Sequence, residues 1–293
     1  MIFLILCIIS STLIFVIFKL LNRVKVPVLP VIVYNYLVAS LLGFLITGND
    51  LAIISESSRE WLPLSVVIGV LFIVMFFVIG KSSQDAGISV TTVASKMSVV
   101  TPIVFSILAD PTDEINLLKV FGIILALLAV FLTIYRKKTL EVKKSAIIYP
   151  VILFFGMGLV DSLVKYSQLK YISDPELALF SAILFAVAFL TGIIYLVMKP
   201  GHLKPLLSFR SLFWGSLLGL SNFGSIYFII RALNYREGLT GGIDSSVVFG
   251  VNNTGIVVLS VLSGYLLFKE KLRPVNYLGI ILAVTAIILF AYA

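Results

Sequence analysis

The chain has 293 residues, of which 60% are hydrophobic and 12% charged, and its formal net charge is +8. A water-soluble domain is usually about 45–50% apolar and about 25% charged, so this composition excludes a soluble fold. Lys and Arg gather in short loops between apolar runs, which indicates membrane orientation and argues against a nucleic-acid partner. We therefore predict a multi-pass protein of the cell (cytoplasmic or inner) membrane, with the lipid bilayer as its surroundings.

Ten apolar runs are long enough to cross a bilayer, which takes about 20 residues. Each is predicted to be an α-helix, because a lone strand in lipid leaves its backbone groups unsatisfied. The first run lacks the basic start and cleavage site of a secretory signal, and it holds the single Cys7, so no disulfide is expected. The spans are expected near 1–18, 29–48, 62–80, 88–108, 117–135, 146–168, 177–198, 211–230, 244–268 and 275–292.

The second and eighth spans carry polar residues that are candidates for substrate binding. Asn35 lies between two tyrosines in the second span, and Asn222 and Tyr227 lie in the eighth. A polar side chain in a membrane helix contacts a solute or forms hydrogen bonds to a neighbouring helix. Both interpretations stay open for these three residues.

The fourth span contains Lys96, the only charged residue between Asp85 and Asp110. A lysine at the centre of a span costs about 2.5–3.5 kcal/mol on insertion scales, so we expect it to face a cavity. There it would bind an anionic solute group or take part in proton coupling; the alternative is an ion pair across a helix interface. Pro102 lacks an N–H and frees the carbonyl of Ser98, which predicts a helix interruption.

In the sixth span, Asp161 and Lys165 are four residues apart, the spacing of an ion pair within one helix. They are candidates for proton coupling, and a self-neutralised pair near one interface is the alternative. Asp161 is also a candidate partner of Lys96.

An internal repeat relates the two halves of the chain. FGIILALLAVFLTIY (121–135) and LGIILAVTAIILFAY (278–292) are identical at eight of fifteen positions when shifted by 157 residues. Each is the fifth span of its half, and five is odd, so the second half enters the membrane from the opposite side. We expect two inverted five-helix repeats, 1–140 and 141–293, with a substrate site near the midplane.

The same shift matches Lys96 with Asn253 and its neighbour Ser95 with Asn252. Gly250 and Gly255 bracket these asparagines, which predicts a second helix interruption in the ninth span. Interrupted helices at matching positions in two repeats indicate the binding site of a transporter. Lys96, Asn252 and Asn253 are therefore the leading candidates for substrate binding.

Ten spans, two five-span halves and a short charged loop before each final helix (PTDEINLLKVFG and LFKEKLRPVNYLG) resemble the EamA type of the drug/metabolite transporter superfamily. The resemblance implies export or import of small metabolites, and helices three, four, eight and nine around a central cavity. Relatives keep both termini in the cytoplasm, whereas the distribution of basic residues favours both termini outside. The orientation stays open between these indications.

The sequence favours a secondary transporter that moves small organic metabolites or drugs by alternating access. No nucleotide-binding loop is present, and the single His202 has no ligand partner at a recognisable spacing, so neither a cofactor nor a metal is expected. The alternatives are a membrane-embedded enzyme acting on lipid-linked substrates and a channel. The expected partner is a small solute, and one with an anionic group would suit Lys96. Substrate, direction of flux, coupling ion and oligomeric state stay open, a monomer included.

Overall fold

The computed structural model of the protein describes residues 2–47, 59–101, 104, 116–134, 144–171, 177–198, 203–234 and 245–292. Within these ranges the regular structure is helical, with no strand. The principal helices are α1 (Ile2–Arg23), α2 (Val28–Thr47), α3 (Leu62–Asp85), α4 (Ile88–Met97), α5 (Leu117–Ile134), α6 (Ser145–Tyr171), α7 (Leu177–Met198), α8 (Phe209–Asn234), α9 (Ser245–Phe268) and α10 (Pro274–Ala291).

Seven of the described helices are long and apolar enough to cross a membrane. Their apolar segments are Ile2–Arg23, Val28–Ile46, Leu62–Asp85, Ser145–Val164, Leu179–Met198, Phe209–Ile229 and Val251–Phe268, and two shorter apolar helices are Leu117–Thr133 and Pro274–Phe290. Large apolar side chains cover their outer faces, for example Phe131 at 64% and Leu190 at 57% exposure. This exposure suits lipid as the surroundings, and the protein is an all-helical multi-pass membrane protein.

The helix contacts divide the chain into two compact units, each of which takes segments from both predicted halves. Unit 1 consists of Met1–Lys19, Val78–Gly158 and Gly224–Ala293, and unit 2 of Leu20–Phe77 and Leu159–Phe223. In unit 1, α5 packs along α10, and α9 packs against α4 and α10. In unit 2, α2 packs along α7.

The α5–α10 contact in unit 1 is reciprocal and antiparallel. A Cβ at Gly122 would lie 2.6 Å from the ring of Phe290, and a Cβ at Gly279 would lie 2.5 Å from Thr133 Oγ1. Gly279 is Gly122 shifted by 157 residues, and Phe290 is Thr133 shifted by the same number. Reciprocal contacts of this kind are what a two-fold relation between two segments produces.

The α2–α7 contact in unit 2 repeats the pattern with a shift of 149 residues. A Cβ at Gly43 would meet the Cβ of Ala182 at 2.9 Å, and a Cβ at Gly192 would meet Cγ2 of Val33 at 2.7 Å. Adding 149 to the numbers of Gly43 and Val33 gives Gly192 and Ala182. The two helices are therefore antiparallel, each with its late glycine against an early residue of the other.

A third reciprocal pair joins α3 to α7 and α8 to α2, also within unit 2. A Cβ at Gly69 would lie 2.7 Å from the Cβ of Val187, and a Cβ at Gly219 would lie 2.8 Å from the Cβ of Val38. Val38 and Val187 differ by the same 149 residues as in the α2–α7 contact, and the two glycines by 150. The second and third helices of each predicted half thus make equivalent contacts.

Candidate functional site

Lys96 lies near the end of α4 and differs from the rest of that helix in its exposure. All other residues of Ile88–Met97 are buried, whereas Lys96 is partly exposed. Ser89 and Lys96 are seven residues apart, so Lys96 lies about 10 Å along the helix axis from the start of α4. Because the hydrocarbon core of a bilayer is about 30 Å thick, this depth suits a position well inside the membrane.

Helices α1 and α8 meet at the depth of Lys96. Lys96 on α4 and the Cys7 thiol on α1 lie within electrostatic range of each other. This thiol donates a hydrogen bond of 3.1 Å to the backbone carbonyl of Ser225 in α8. One turn away, Ser10 lies against Gly224. Parts of α1, α4 and α8 that belong to unit 1 therefore lie near one another around Cys7.

Helix α9 packs against α4 and also contacts α1. A Cβ at Gly255 would lie 2.5 Å from Cδ1 of Ile8, the residue after Cys7, so α9 crosses α1 at this depth. Asn252 and Asn253 precede Gly255 by two to three residues, which is at most about 4.5 Å along the helix. The structure thus places Lys96, Asn252 and Asn253 in one unit; Asn252 is buried and Asn253 partly exposed.

Buried polar atoms in this part of unit 1 have no hydrogen-bond partner among the described residues. They are the Oγ1 atoms of Thr92 and Thr254 and the Oδ1 atom of Asn252. Thr92 precedes Lys96 by one helical turn. A buried polar atom without a partner costs about 1–3 kcal/mol. Water or a polar solute that reaches any of these atoms would remove that cost.

The two predicted helix interruptions have different outcomes. Helix α4 ends at Met97, and a turn at Ser98 and Val99 follows, in which the Ser98 carbonyl accepts the Thr101 N–H at 2.9 Å. Pro102 itself lies outside the described residues. Helix α9 runs unbroken from Ser245 to Phe268.

The interruption predicted at Gly250 and Gly255 is therefore wrong. A glycine inside a helix costs only about 1 kcal/mol relative to alanine, which helix packing can offset. At Gly255 the missing side chain instead permits the close approach of Ile8.

Tyr227 contacts Arg231 of its own helix. Its hydroxyl accepts a 3.0 Å hydrogen bond from Arg231 Nε, and the guanidinium carbon lies 5.4 Å from the centre of its ring. Residues four apart face each other on a helix, so this contact follows from the sequence spacing. Substrate binding by Tyr227 would therefore involve Arg231 as well.

Glu270, which follows α9, forms a group of contacts that the sequence did not reveal. Its carboxylate accepts hydrogen bonds from the backbone N–H of Ile88 at 2.7 Å and from the N–H and hydroxyl of Ser89 at 3.3 and 3.1 Å. The Lys19 ammonium lies 3.5 Å away. We call Lys19, Ile88, Ser89 and Glu270 the Glu270 cluster. A carboxylate at a helix N-terminus is stabilised by the helix dipole.

Two glycines make room for this carboxylate. A Cβ at Gly87, whose φ is +99°, would lie 2.8 Å from one carboxylate oxygen, and a Cβ at Gly264 would lie 2.6 Å from the other. The cluster therefore joins the ends of α1 and α9 to the start of α4. The only sequence signal was the charged loop before the final helix.

In unit 2, Asn35 and Asn222 lie on helices that touch. Asn35 is fully buried, and both its amide atoms are without a hydrogen-bond partner among the described residues. Asn222 is also buried and lies one turn after Gly219. A Cβ at Gly219 would lie 2.8 Å from the backbone carbonyl oxygen of Asn35. Solute binding by Asn35 and Asn222 therefore stays a prediction.

The proposed coupling residues of α6 belong to unit 2. Asp161 is exposed, and the side chain of its predicted partner, Lys165, lies outside the described side chains. The predicted Asp161–Lys165 pair therefore stays a prediction. Within the described ranges, no three His, Cys, Asp or Glu residues come together as a set of metal ligands.

A comparison with protein-family models finds no match for the chain. A Haemophilus influenzae protein described as uncharacterized is similar, with 26% identity over 300 residues. The alignment covers 100% of this chain and 97% of that protein. The similarity therefore extends through both predicted halves and every predicted span.

Proposed function

We propose that the protein is a secondary transporter of the drug/metabolite transporter superfamily, EamA type, in the cell membrane. It moves small organic solutes by alternating access and consists of two inverted five-helix repeats around a central cavity. Helices α1 to α5 form the first repeat and α6 to α10 the second.

The reciprocal glycine contacts are the observation that carries this proposal. Equivalent helices of the two halves, α2 with α7 and α5 with α10, pack antiparallel through matched residues. Antiparallel packing of equivalent helices follows when the halves enter the membrane from opposite sides. Inverted repeats are frequent in secondary transporters, because exchanging the conformations of the two halves exchanges inward-open and outward-open states.

The region around Lys96 supports a solute site within unit 1. Helix α4 carries the Lys96 ammonium and the buried Thr92 oxygen, and α9, which packs against α4, carries the buried oxygens of Asn252 and Thr254. This chemistry suits a small organic solute with a carboxylate or another anionic group and at least one further polar group. Lys96 would bind the anionic group or exchange a proton during the cycle.

The Glu270 cluster supports the proposal that access to Lys96 is closed at one end of unit 1. It ties segments of both repeats together, since Lys19, Ile88 and Ser89 belong to the first and Glu270 to the second. The cluster lies about 10 Å along α4 from Lys96. Access to Lys96 from that end would require the carboxylate to leave the start of α4.

Counterflow in proteoliposomes tests the proposal. A thermal-shift screen of amino acids, nucleosides, sugars and cationic drugs first selects a solute that stabilises the purified protein. Unlabelled solute inside the vesicles should then accelerate uptake of labelled solute, and Lys96→Gln should abolish this effect. Uptake that neither saturates nor responds to the internal solute would indicate a channel, and chemical conversion of the solute would indicate an enzyme.

A further inference from the structure

A cavity lies at the end of α9, beside the Glu270 cluster. It has a volume of about 680 Å³, and its lining includes Tyr265, Lys269, Lys271 and Tyr277. Glu270 belongs to both the cavity lining and the Glu270 cluster, so the cavity lies at the same end of unit 1 as that cluster. This position, just beyond the apolar segment that ends at Phe268, is where a span leaves the hydrocarbon core.

After the turn that ends α9, Glu270 and the lysines on either side of it have different surroundings. The Glu270 N–H bonds to the Gly264 carbonyl at 3.0 Å and the Lys269 N–H to the Tyr265 carbonyl at 3.1 Å, and Lys269 has a φ of +52°. The Lys269 hydrogen bond, with Lys269 in the left-handed region, is that of an αL C-cap motif. Glu270 contacts the start of α4, whereas Lys269 and Lys271 are exposed.

Lys269 and Lys271 have no acidic partner in the described part of the chain. Neither forms an ion pair with any residue in the described part of the chain, and the one acid in the cavity lining, Glu270, is already bound by Lys19 and α4. Two ammonium groups and two exposed tyrosine hydroxyls thus offer donors for a single anion. The exposures of Tyr265 and Tyr277 are 60% and 42%.

We propose that this cavity binds the phosphate of an anionic phospholipid. Basic pockets between membrane helices, close to the headgroup region, suit anionic lipids, and tyrosines are enriched at that depth. Leu266, which is 68% exposed, and Leu272 also line the cavity. Acyl chains of the same lipid would lie against these leucines, which a soluble phosphate ester could not exploit.

Native mass spectrometry of the full chain tests the site, with phosphatidylglycerol and phosphatidylcholine as probes. We expect retention of one phosphatidylglycerol in preference to phosphatidylcholine. The preference should fall about fivefold for each lysine replaced in Lys269→Gln/Lys271→Gln, because a basic residue near an anionic surface contributes about 1 kcal/mol. Tyr277→Leu, which keeps both charges, should weaken retention to a smaller extent.

Lys144→Gln/Lys204→Gln is the matched control, because it removes two exposed lysines outside the cavity. It should leave the preference unchanged. Equal retention by the wild type and Lys269→Gln/Lys271→Gln, or an equal loss in the control, would overturn the proposal. So would a thermal stabilisation by glycerol 3-phosphate as large as that by the lipid, since the ligand would then be a soluble anion. None of these outcomes depends on solute transport.

Discussion

The Glu270 carboxylate accepts a 2.7 Å hydrogen bond from the backbone N–H of Ile88, the first residue of α4. The first N–H groups of a helix have no partner within the helix, so a carboxylate at this place satisfies donors and complements the helix dipole. Glu270 belongs to the second predicted repeat and Ile88 to the first. The contact therefore fixes the start of the helix that carries Lys96 to the end of α9.

Replacing Glu270 should destabilise the protein. Glu270→Gln keeps the shape but removes the charge, and it presents an amide donor toward donors. Because hydrogen bonds to charged groups contribute about 1.5–3 kcal/mol, we expect a loss of similar size in the free energy of unfolding. Thermal unfolding in detergent measures this loss, with Glu60→Gln, an exposed site, as the control. Equal stability of the two variants would contradict the role assigned to Glu270.

Thr92 and Thr91 offer a matched test of the site around Lys96. Both side chains are fully buried, but the Thr91 hydroxyl contacts Ser82 Oγ at 2.8 Å and the Gly87 carbonyl at 2.7 Å, whereas Thr92 Oγ1 has no partner among the described residues. Thr91→Val should lower the stability by about 1 kcal/mol. Thr92→Val should leave the stability unchanged or higher and weaken solute binding. A stability loss in Thr92→Val as large as in Thr91→Val would argue against a solute-facing hydroxyl.

Lys96→Gln should insert and fold normally but lose uptake of anionic solutes. The motivation is the partial exposure of Lys96 in an otherwise buried helix. Lys119→Gln, which removes a lysine from the first turn of α5, is the control and should transport normally. Unchanged kinetics in reconstituted Lys96→Gln would remove Lys96 from the site.

Asn35 and Asn276 separate two roles for a buried asparagine. Asn276 donates to the carbonyls of Leu132 and Thr133 at 3.0 Å and accepts the Arg273 N–H at 3.0 Å, whereas the amide of Asn35 has no partner in the described structure. Asn276→Leu should therefore destabilise the protein by about 1–3 kcal/mol. Asn35→Leu should stabilise it and alter solute affinity. Parallel losses of thermal stability in both variants would show that Asn35 also joins helices.

The reciprocal contacts differ in their tolerance of a methyl group. Gly122→Ala would meet only the ring of Phe290, which can rotate, whereas Gly279→Ala would meet the backbone nitrogen of Thr133 at 2.8 Å and the carbonyl of Ala129 at 2.9 Å. We expect Gly279→Ala to cost more stability than Gly122→Ala, and Gly122→Ala to be relieved by Phe290→Leu. An absence of coupling in this double mutant would contradict the contact.

The positions of the helices could be predicted well from the sequence. Each predicted span has a described helix that begins within two residues of the expected start. Long apolar runs leave few alternatives in lipid, because the backbone must satisfy its own hydrogen bonds. Small residues at four-residue spacing, Ser65/Gly69 and Gly215/Gly219, allow helices to approach closely, and the glycines of both pairs lie in such contacts.

The site was predicted less completely, since its remaining parts depend on contacts distant in sequence. The role of Glu270 requires the loop after α9 to meet the start of α4, and 182 residues separate Glu270 from Ile88. The effect of Gly255 depends on Ile8, a packing partner that helix propensity alone does not include. Lys96 could be found because an isolated charge in an apolar run has few stable environments.

The opposite insertion of the two halves is the central claim, and labelling of matched cysteines tests it most directly. Leu118 and Val275 differ by 157 residues, lie in the first turns of α5 and α10, and have similar exposures of 38% and 36%. Leu118→Cys and Val275→Cys are introduced separately into Cys7→Ser, which lacks the native thiol. A membrane-impermeant maleimide added to one side of the membrane should label only one of the two variants, and added to the other side only the other. Labelling of both from the same side would contradict the inverted repeat.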